Sequence, residues 1–264
     1  MFSHEKRCLY RNNQLGNVIC QLRFPEILTI ATTMPDRFQE AIREDFPQYR
    51  KLQEMSAPKL TGVPGNMTLQ KPEPTVNHQF ESADGRWKVN LTSKFISLST
   101  NGYHSWEDFA AHLDKPLAAF IQIYKPAWFE RAGLRYMNFI SRKALNLEGV
   151  PYRQLLEPWC LGPLAEEDVQ ESACTRSTVD MEMAIRSGCR VKIHAGPGMV
   201  KQPGSTDKEV KFVFDQDLFM QGQIPVNHSA GALHTLHGQA YSLFRGAITD
   251  KLHEALDPHT PLQI

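Results

Sequence analysis

The stretch Arg131-Ala-Gly-Leu-Arg-Tyr-Met-Asn-Phe139 decides how this chain of 264 residues is divided. Its alternation of apolar and polar side chains is typical of a β-strand, and it opens the second half of the sequence. Val18-Ile-Cys-Gln-Leu-Arg-Phe24 has a similar pattern and opens the first half. The similarity predicts one structural unit built twice, with a first repeat over 1–127 and a second over 128–264.

The first half predicts a strand, a helix, three strands and a second helix. The first strand covers 18–24, and the first helix starts at Met34-Pro35-Asp36. Three short alternating segments lie between 77 and 99. Ser105 then starts a helix as the first residue of a capping box. The proline-rich range 51–76 predicts a flexible surface loop between these elements.

The second half predicts the same order of elements. The last helix carries a long apolar stripe, which is typical of a helix packed on a sheet. Between the last two strands, glycines and prolines predict a loop over 195–208. The other predicted elements are a strand at about 130–141, a short helix at about 151–157, strands at 179–185, 190–194 and 210–214, and a long helix at about 229–256.

These elements predict an α+β protein with one curved antiparallel sheet that both repeats share. Helices on one face of such a sheet bury the apolar side of both layers. The element order resembles that of the TATA-binding-protein and helix-grip folds. Strand alternation leaves polar side chains on the opposite face, among them Arg23, Lys88, Asp180, Glu182, Lys192 and His194.

Composition argues against several classes of protein. Lys+Arg and Asp+Glu both number 29, so the chain lacks the basic excess that drives non-specific nucleic-acid binding. The five cysteines have no Cys-x-x-Cys spacing, which disfavours a zinc site and a disulfide framework. No apolar run suits a signal peptide or a membrane-spanning helix, so the sequence predicts a cytoplasmic protein that does not enter a membrane.

Four motifs together resemble a sporadically distributed bacterial family of conserved hypothetical proteins. They are Gln21-Leu-Arg-Phe-Pro25, Gly102-Tyr103 with Trp106-Glu107-Asp108-Phe109, Gly133-Leu-Arg-Tyr-Met-Asn138, and the ending from His237 to Asp250. The resemblance spans nearly the whole chain, and its most specific part is the Gly-Leu-Arg-Tyr-x-Asn core. The family has no established activity, so it implies no catalytic residue and no cofactor. Its sporadic distribution implies an accessory role in a CRISPR or other anti-phage operon.

No pattern in the sequence predicts catalytic residues or a metal. His234 and His237 lie one helical turn apart, but the His-Glu-x-x-His pattern of zinc proteases is missing. Glu166-Glu167-Asp168 is typical of a solvated acidic run, because two catalytic carboxylates must converge across a site. Gly196-Pro197-Gly198 lacks the lysine of a phosphate-binding loop.

Two functions remain open on the sequence. The first is a non-enzymatic binding or adaptor protein that holds a protein partner on the sheet or its rim loops. The second is a binder or enzyme for a small anionic or nucleotide ligand, in a pocket between the sheet and the C-terminal helix. Arginines on a strand bind anions bidentately or pair with acids such as Asp180 or Glu182. The candidate ligand-binding residues are Arg131, Arg135, Tyr136, Asn138, His237, Tyr241 and Arg245.

Overall fold

The computed structural model describes residues 1–54, 59–63, 66–70, 74–200 and 207–260. Within these ranges the strands, numbered along the chain, are β1 Leu9–Tyr10, β2 Leu15–Arg23, β3 Gln48–Glu54, β4 Lys59–Val63, β5 Asn66–Gln70, β6 Thr75–Glu81, β7 Trp87–Leu91, β8 Phe95–Thr100, β9 Phe129–Ile140, β10 Val179–Ala184, β11 Arg190–Met199, β12 Val210–Ile224 and β13 Pro258–His259. The α-helices in the same ranges are α1 Leu28–Thr32, α2 Asp36–Ile42, α3 Trp106–Tyr124, α4 Pro158–Leu161, α5 Ser229–Arg245 and α6 Asp250–Ala255. Short 3-10 helices cover Tyr152–Gln154, Gly162–Ala165, Glu171–Ala173, Arg186–Gly188 and Val226–His228.

Nine strands form one antiparallel sheet in the order β10-β11-β12-β9-β2-β8-β7-β6-β3. The predicted α+β class and curved antiparallel sheet are therefore confirmed. Outward from the centre, the first half runs β2-β8-β7-β6-β3 and the second runs β9-β12-β11-β10. In each half, the strand of this sheet that comes first in the sequence lies at the centre, and the strand that comes last in the sequence lies next to it. A common origin of the two halves stays a prediction.

The two halves meet where β2 pairs with β9. Val18 lies opposite Tyr136, and Cys20 lies opposite Leu134. All four side chains are buried. We call this side the helix face, and we call the opposite side, which carries Arg23, Lys88, Arg135 and Lys192, the polar face. The period of two in each strand therefore separates an apolar layer from a charged one.

The helices pack on the helix face and form one core with it. Phe120 of α3 contacts Phe24 with their ring centroids 4.7 Å apart. Phe244 of α5 lies 6.1 Å from Phe214 of β12 by the same measure. The start of α3 follows the predicted capping box, because the Ser105 hydroxyl accepts a hydrogen bond from the Asp108 amide at 3.1 Å.

Three predicted boundaries are wrong. The predicted loop over 51–76 contains the end of β3, the β4–β5 hairpin and the start of β6, while its residues 55–58, 64–65 and 71–73 lie outside the described residues. The predicted loop over 195–208 begins within β11, which continues to Met199, and its residues 201–206 lie outside the described part. The helix expected at 151–157 is instead a 3-10 turn followed by α4.

The predicted helix over 229–256 is also interrupted. It ends at Arg245 and restarts at Asp250, where the Thr249 hydroxyl caps α6. Gly246 lies at the break, and a Cβ atom there would overlap the backbone of Met1. The N-terminal segment therefore crosses the chain where the helix is interrupted. Among the described residues, no helix is long and apolar enough to span a membrane.

Candidate functional site

The candidate residues of β9 point to two different faces of the sheet. Arg131 and Arg135 lie on the polar face, while Tyr136 and Asn138 lie on the helix face. These residues therefore do not form one cluster. Strand alternation explains the separation of the two arginines from Asn138.

Both arginines of β9 are engaged by aspartates of β12. Arg131 donates two hydrogen bonds from Nη2 to the carboxylate of Asp217, at 2.7 and 2.8 Å. Arg135 donates from Nε to Asp215 at 2.8 Å. Hydrogen bonding to this carboxylate raises the pKa of Arg135. Neither guanidinium is free for an anionic ligand.

The sequence predicts Asp180 or Glu182 as the acidic partner of these arginines. This prediction is wrong, because two strands separate β10 from β9. Asp180 instead contacts His194 at 2.6 Å, and Glu182 pairs with Arg190 at 2.9 Å. The prediction stopped the last strand at 214, just before Asp215. The true partners therefore fell outside every predicted strand.

Gly133 of the Gly-Leu-Arg-Tyr-x-Asn core leaves room for the side chain of Arg131. A Cβ atom at Gly133 would overlap the guanidinium, which lies over the sheet and 4.7 Å from the ring centre of Phe219. Leu134 fills the core on the other side. The glycine of the motif therefore allows an arginine to lie flat on the strand and reach Asp217.

Gly133→Ala is expected to lower the free energy of unfolding by about 1–2 kcal/mol, because it displaces a half-buried ion pair. Urea unfolding at pH 7 measures the change. In an Arg131→Ala background the same substitution should be neutral or stabilising, since glycine weakens a strand by about 0.5–1 kcal/mol relative to alanine. An equal cost in both backgrounds would show that the glycine does not serve Arg131.

A cavity of about 90 Å³ lies on the helix face, between the sheet, α5 and the N-terminal segment. One buried water needs roughly 10–15 Å³ of such space, so the cavity has room for several waters or a small organic group. The candidates Tyr136, Asn138, His237 and Tyr241 line it. Its other lining residues are Arg7, Cys8, Leu9, Tyr10, Asn13, Gln14, Leu15, Tyr103, His104, Gln216, Ala240, Phe244 and Leu256.

The N-terminal segment, residues 1–15, forms one wall of this cavity and is fixed by hydrogen bonds. Arg7 donates to both carboxylate oxygens of Glu107, at 2.6 and 3.0 Å. The hydrogen bonds from Arg7 lower the pKa of Glu107 to about 2. The Tyr241 hydroxyl accepts from the Cys8 amide at 3.2 Å. The one guanidinium in the described cavity wall is thus neutralised.

His237 is a strongly perturbed titratable group of the wall. Its Nδ1 lies 2.8 Å from the Tyr136 hydroxyl, and its ring stacks on Trp106 with centroids 4.8 Å apart. Burial, and secondly the charge of Arg7, lower the pKa of His237 to about 3. The imidazole is therefore neutral at physiological pH. Such a weak base is a poor general base, because effective proton transfer needs a pKa near the working pH.

Two polar atoms of the wall are buried without a partner. They are Oε1 of Gln216 and Nε2 of His237. A buried polar group without a hydrogen bond costs about 1–3 kcal/mol, so folded proteins rarely keep one without a reason. His234 and His237, one helical turn apart, do not face the same environment, since His234 is exposed while His237 is buried. No group of three metal-binding side chains occurs in the described ranges.

Arg245 does not line the cavity and is a structural residue. Its guanidinium is buried, and it donates to Glu5 and Asp250, both at 2.8 Å. Gln216 was missed, although it interrupts an alternating apolar series on β12. Phe212, Phe214 and Leu218 are buried on the same face of that strand. This interruption was visible in the sequence, but the predicted strand ended before it.

Comparisons with known proteins add no further constraint to this site. The chain matches no protein-family model. A comparison with curated proteins also finds no match. The functional conclusion therefore rests on the geometry of the cavity and of the polar face.

Proposed function

We propose that the protein binds a small neutral molecule in the cavity between the sheet, α5 and the N-terminal segment. Ligand sites are concave, mostly apolar and carry a few convergent polar groups, as this cavity does. The observation that carries the proposal is the pair of buried atoms without a partner, Gln216 Oε1 and His237 Nε2. A ligand that bonds them removes the cost of leaving them unpaired.

The charges of the wall favour a neutral ligand over the anionic or nucleotide ligand that the sequence predicted. Arg7 already pairs with Glu107, and His237 is neutral. A buried anion would therefore find no free counter-charge on these two residues, and burying an unpaired charge is costly. The low pKa of His237 favours binding over general-base catalysis by this residue, because such a weak base takes up little of a proton at neutral pH.

A thermal-shift screen of small neutral compounds tests this proposal. A ligand at about 100 times its dissociation constant should stabilise the protein by about 2.7 kcal/mol. Ala240 lines the cavity and is buried, so Ala240→Leu should reduce the stabilisation. Ala230 is exposed on the same helix, and Ala230→Leu is the matched control.

Phe244→Trp enlarges another side chain that lines the cavity. This variant replaces Ala240→Leu in the test if Ala240→Leu does not fold. The proposal fails if no compound stabilises the wild type. It also fails if the cavity-filling variant and the Ala230→Leu control respond alike to every compound.

Protein binding through the polar face is a second candidate function. It corresponds to the non-enzymatic adaptor role that the sequence predicts. A depression of about 490 Å³ on this face is lined by charges of both signs, among them Arg135, Asp180, Lys192 and Asp217. Its side chains are paired within the sheet but remain accessible, with Lys192 exposed by 56 %. Complementary charge patterns give interfaces their specificity. We propose a protein partner whose surface alternates acids and bases in the complementary order.

Copurification from the native host tests the second candidate. A genuine partner should be lost on Lys192→Glu and retained on Lys251→Glu, which changes an exposed lysine of α6. Equal recovery with both variants would reject the polar face as the interface. A cytoplasmic location stays a prediction. An accessory role in anti-phage or CRISPR defence also stays a prediction, and a phage challenge of a strain that lacks the gene would test it.

A further inference from the structure

The amide of Gln216 is a buried polar group in the wall of the cavity. Gln216 lies directly opposite Tyr136 in the pairing of β12 with β9, and only 2 % of it is exposed. Its Oε1 is buried without a hydrogen-bond partner. The nitrogen of the same group carries two N–H donors beside that acceptor. An amide at this position therefore offers an acceptor and a donor side by side.

Asn138 places a second amide on the neighbouring strand. Asn138 pairs with Phe214, so it is the diagonal neighbour of Gln216 on the same face. Its Nδ2 donates to the backbone oxygen of Phe214 at 3.3 Å, which fixes the orientation of this amide. The two side chains line the same cavity. The floor of the cavity is thus built from amide groups rather than from charged ones.

Aromatic rings surround these amides. Tyr10, Tyr103, Tyr136, Tyr241 and Phe244 line the same cavity, and the Tyr136 hydroxyl contacts Nδ1 of His237. Rings of this kind stack on planar apolar groups with offset or edge geometry. The chemistry of the cavity is therefore that of a flat, uncharged molecule with one polar edge.

We infer that the ligand is a neutral planar ring bearing a carboxamide or lactam edge, read by the Gln216 amide. This inference rests on the proposed small-molecule function and names its ligand class. A carboxamide presents a donor and an acceptor side by side, which is the complement of a glutamine amide, as in the bidentate contacts of glutamine to adenine. In this complex the Gln216 amide turns towards the cavity, so that the ligand oxygen accepts from Nε2 and the ligand N–H donates to Oε1.

Benzamide and two other benzene derivatives test the inference. Benzamide carries the amide edge, benzoate replaces it with a charge, and toluene has no polar edge. Isothermal titration and ligand-observed NMR should show benzamide binding at least about tenfold more tightly than toluene, with benzoate the weakest. The preference should vanish in Gln216→Met, an unbranched side chain of similar size without the amide. Gln79→Met, a half-buried glutamine on the polar face, is the matched control.

The outcomes separate this inference from the proposed function. Gln216→Met is expected to fold, because it removes an unpaired buried polar group. If benzamide and toluene bind wild type and Gln216→Met with the same affinity, recognition of the ligand by the Gln216 amide is wrong, while the cavity remains a binding site. If none of the three binds wild type, the inference fails, while the wider screen of neutral compounds remains the test of the proposed function. The inference is supported if wild type and Gln79→Met prefer benzamide over toluene by about tenfold and Gln216→Met does not.

Discussion

Acidification from pH 7 to pH 4.5 is expected to remove about 2–3 kcal/mol of stability through His237 alone. Its pKa is about 3 in the folded protein and 6.5 in its ordinary state. The unfolded chain therefore binds a proton between these values that the folded protein does not bind. Protons then favour unfolding, at about 1.36 kcal/mol for each pH unit below 6.5. This contribution is complete above pH 6.5 and is lost as the pH falls towards 3.

Urea unfolding of wild type and His237→Asn at both pH values measures this effect. Asparagine keeps an acceptor near the Tyr136 hydroxyl but does not titrate, so the variant should lose less stability on acidification. Burial also lowers the pKa of His78 and of His253, and these groups contribute equally to both proteins. His234→Asn, an exposed site one turn earlier, should behave like wild type. An unchanged acid response of His237→Asn would show that His237 is not buried and neutral.

Removal of both carboxylates around Arg245 is expected to cost about 3 kcal/mol. The Arg245 side chain is 8 % exposed, while those of Glu5 and Asp250 are 54 % and 86 % exposed. Glu5→Gln with Asp250→Asn therefore leaves a buried cation without a counter-charge, which destabilises proteins by about 3–5 kcal/mol. The Arg245 bond to the Ile248 carbonyl remains, so we place the cost at the lower end.

Arg245→Met is the reverse experiment. It leaves the two carboxylates in solvent, where an unpaired charge costs little. Chemical unfolding should therefore show a smaller loss for Arg245→Met than for the double carboxamide variant. The opposite order would mean that Arg245 is solvated, and that the N-terminal segment is not held to α5 by this pair.

The layer structure of the sheet could be predicted from the sequence because strand alternation is local. Val18, Cys20 and Leu22 all reach the helix face as their period of two requires. The same period placed Arg135 and Lys192 on the polar face. Ser105 could be recognised as a helix start because its cap involves only the next turn.

The partners of these residues could not be predicted, because they depend on strand order. Arg135 pairs with Asp215 since β12 lies between β9 and β11, an order that no local pattern encodes. Gly246 interrupts the last helix because the backbone of Met1 passes there, a contact across almost the whole chain. The position of Arg245 outside the cavity also depends on the folded chain, because its partner Glu5 belongs to the N-terminal segment.

The candidate site was predicted in part. Tyr136, Asn138, His237 and Tyr241 come together around the cavity, as expected for a pocket between the sheet and the C-terminal helix. The wall supplied by residues 7–15 was missed, because the segment lacks a motif and acquires its role only by folding back over α5.

A crystal structure of the protein soaked in benzamide tests most directly whether the cavity is a binding site. The proposed function and the amide inference predict a planar molecule between the sheet and α5, with its amide within hydrogen-bond distance of Gln216. They also predict that the soaked Ala240→Leu variant lacks this molecule. A cavity that holds only ordered water in both proteins, with Gln216 bonded to that water, would contradict the account.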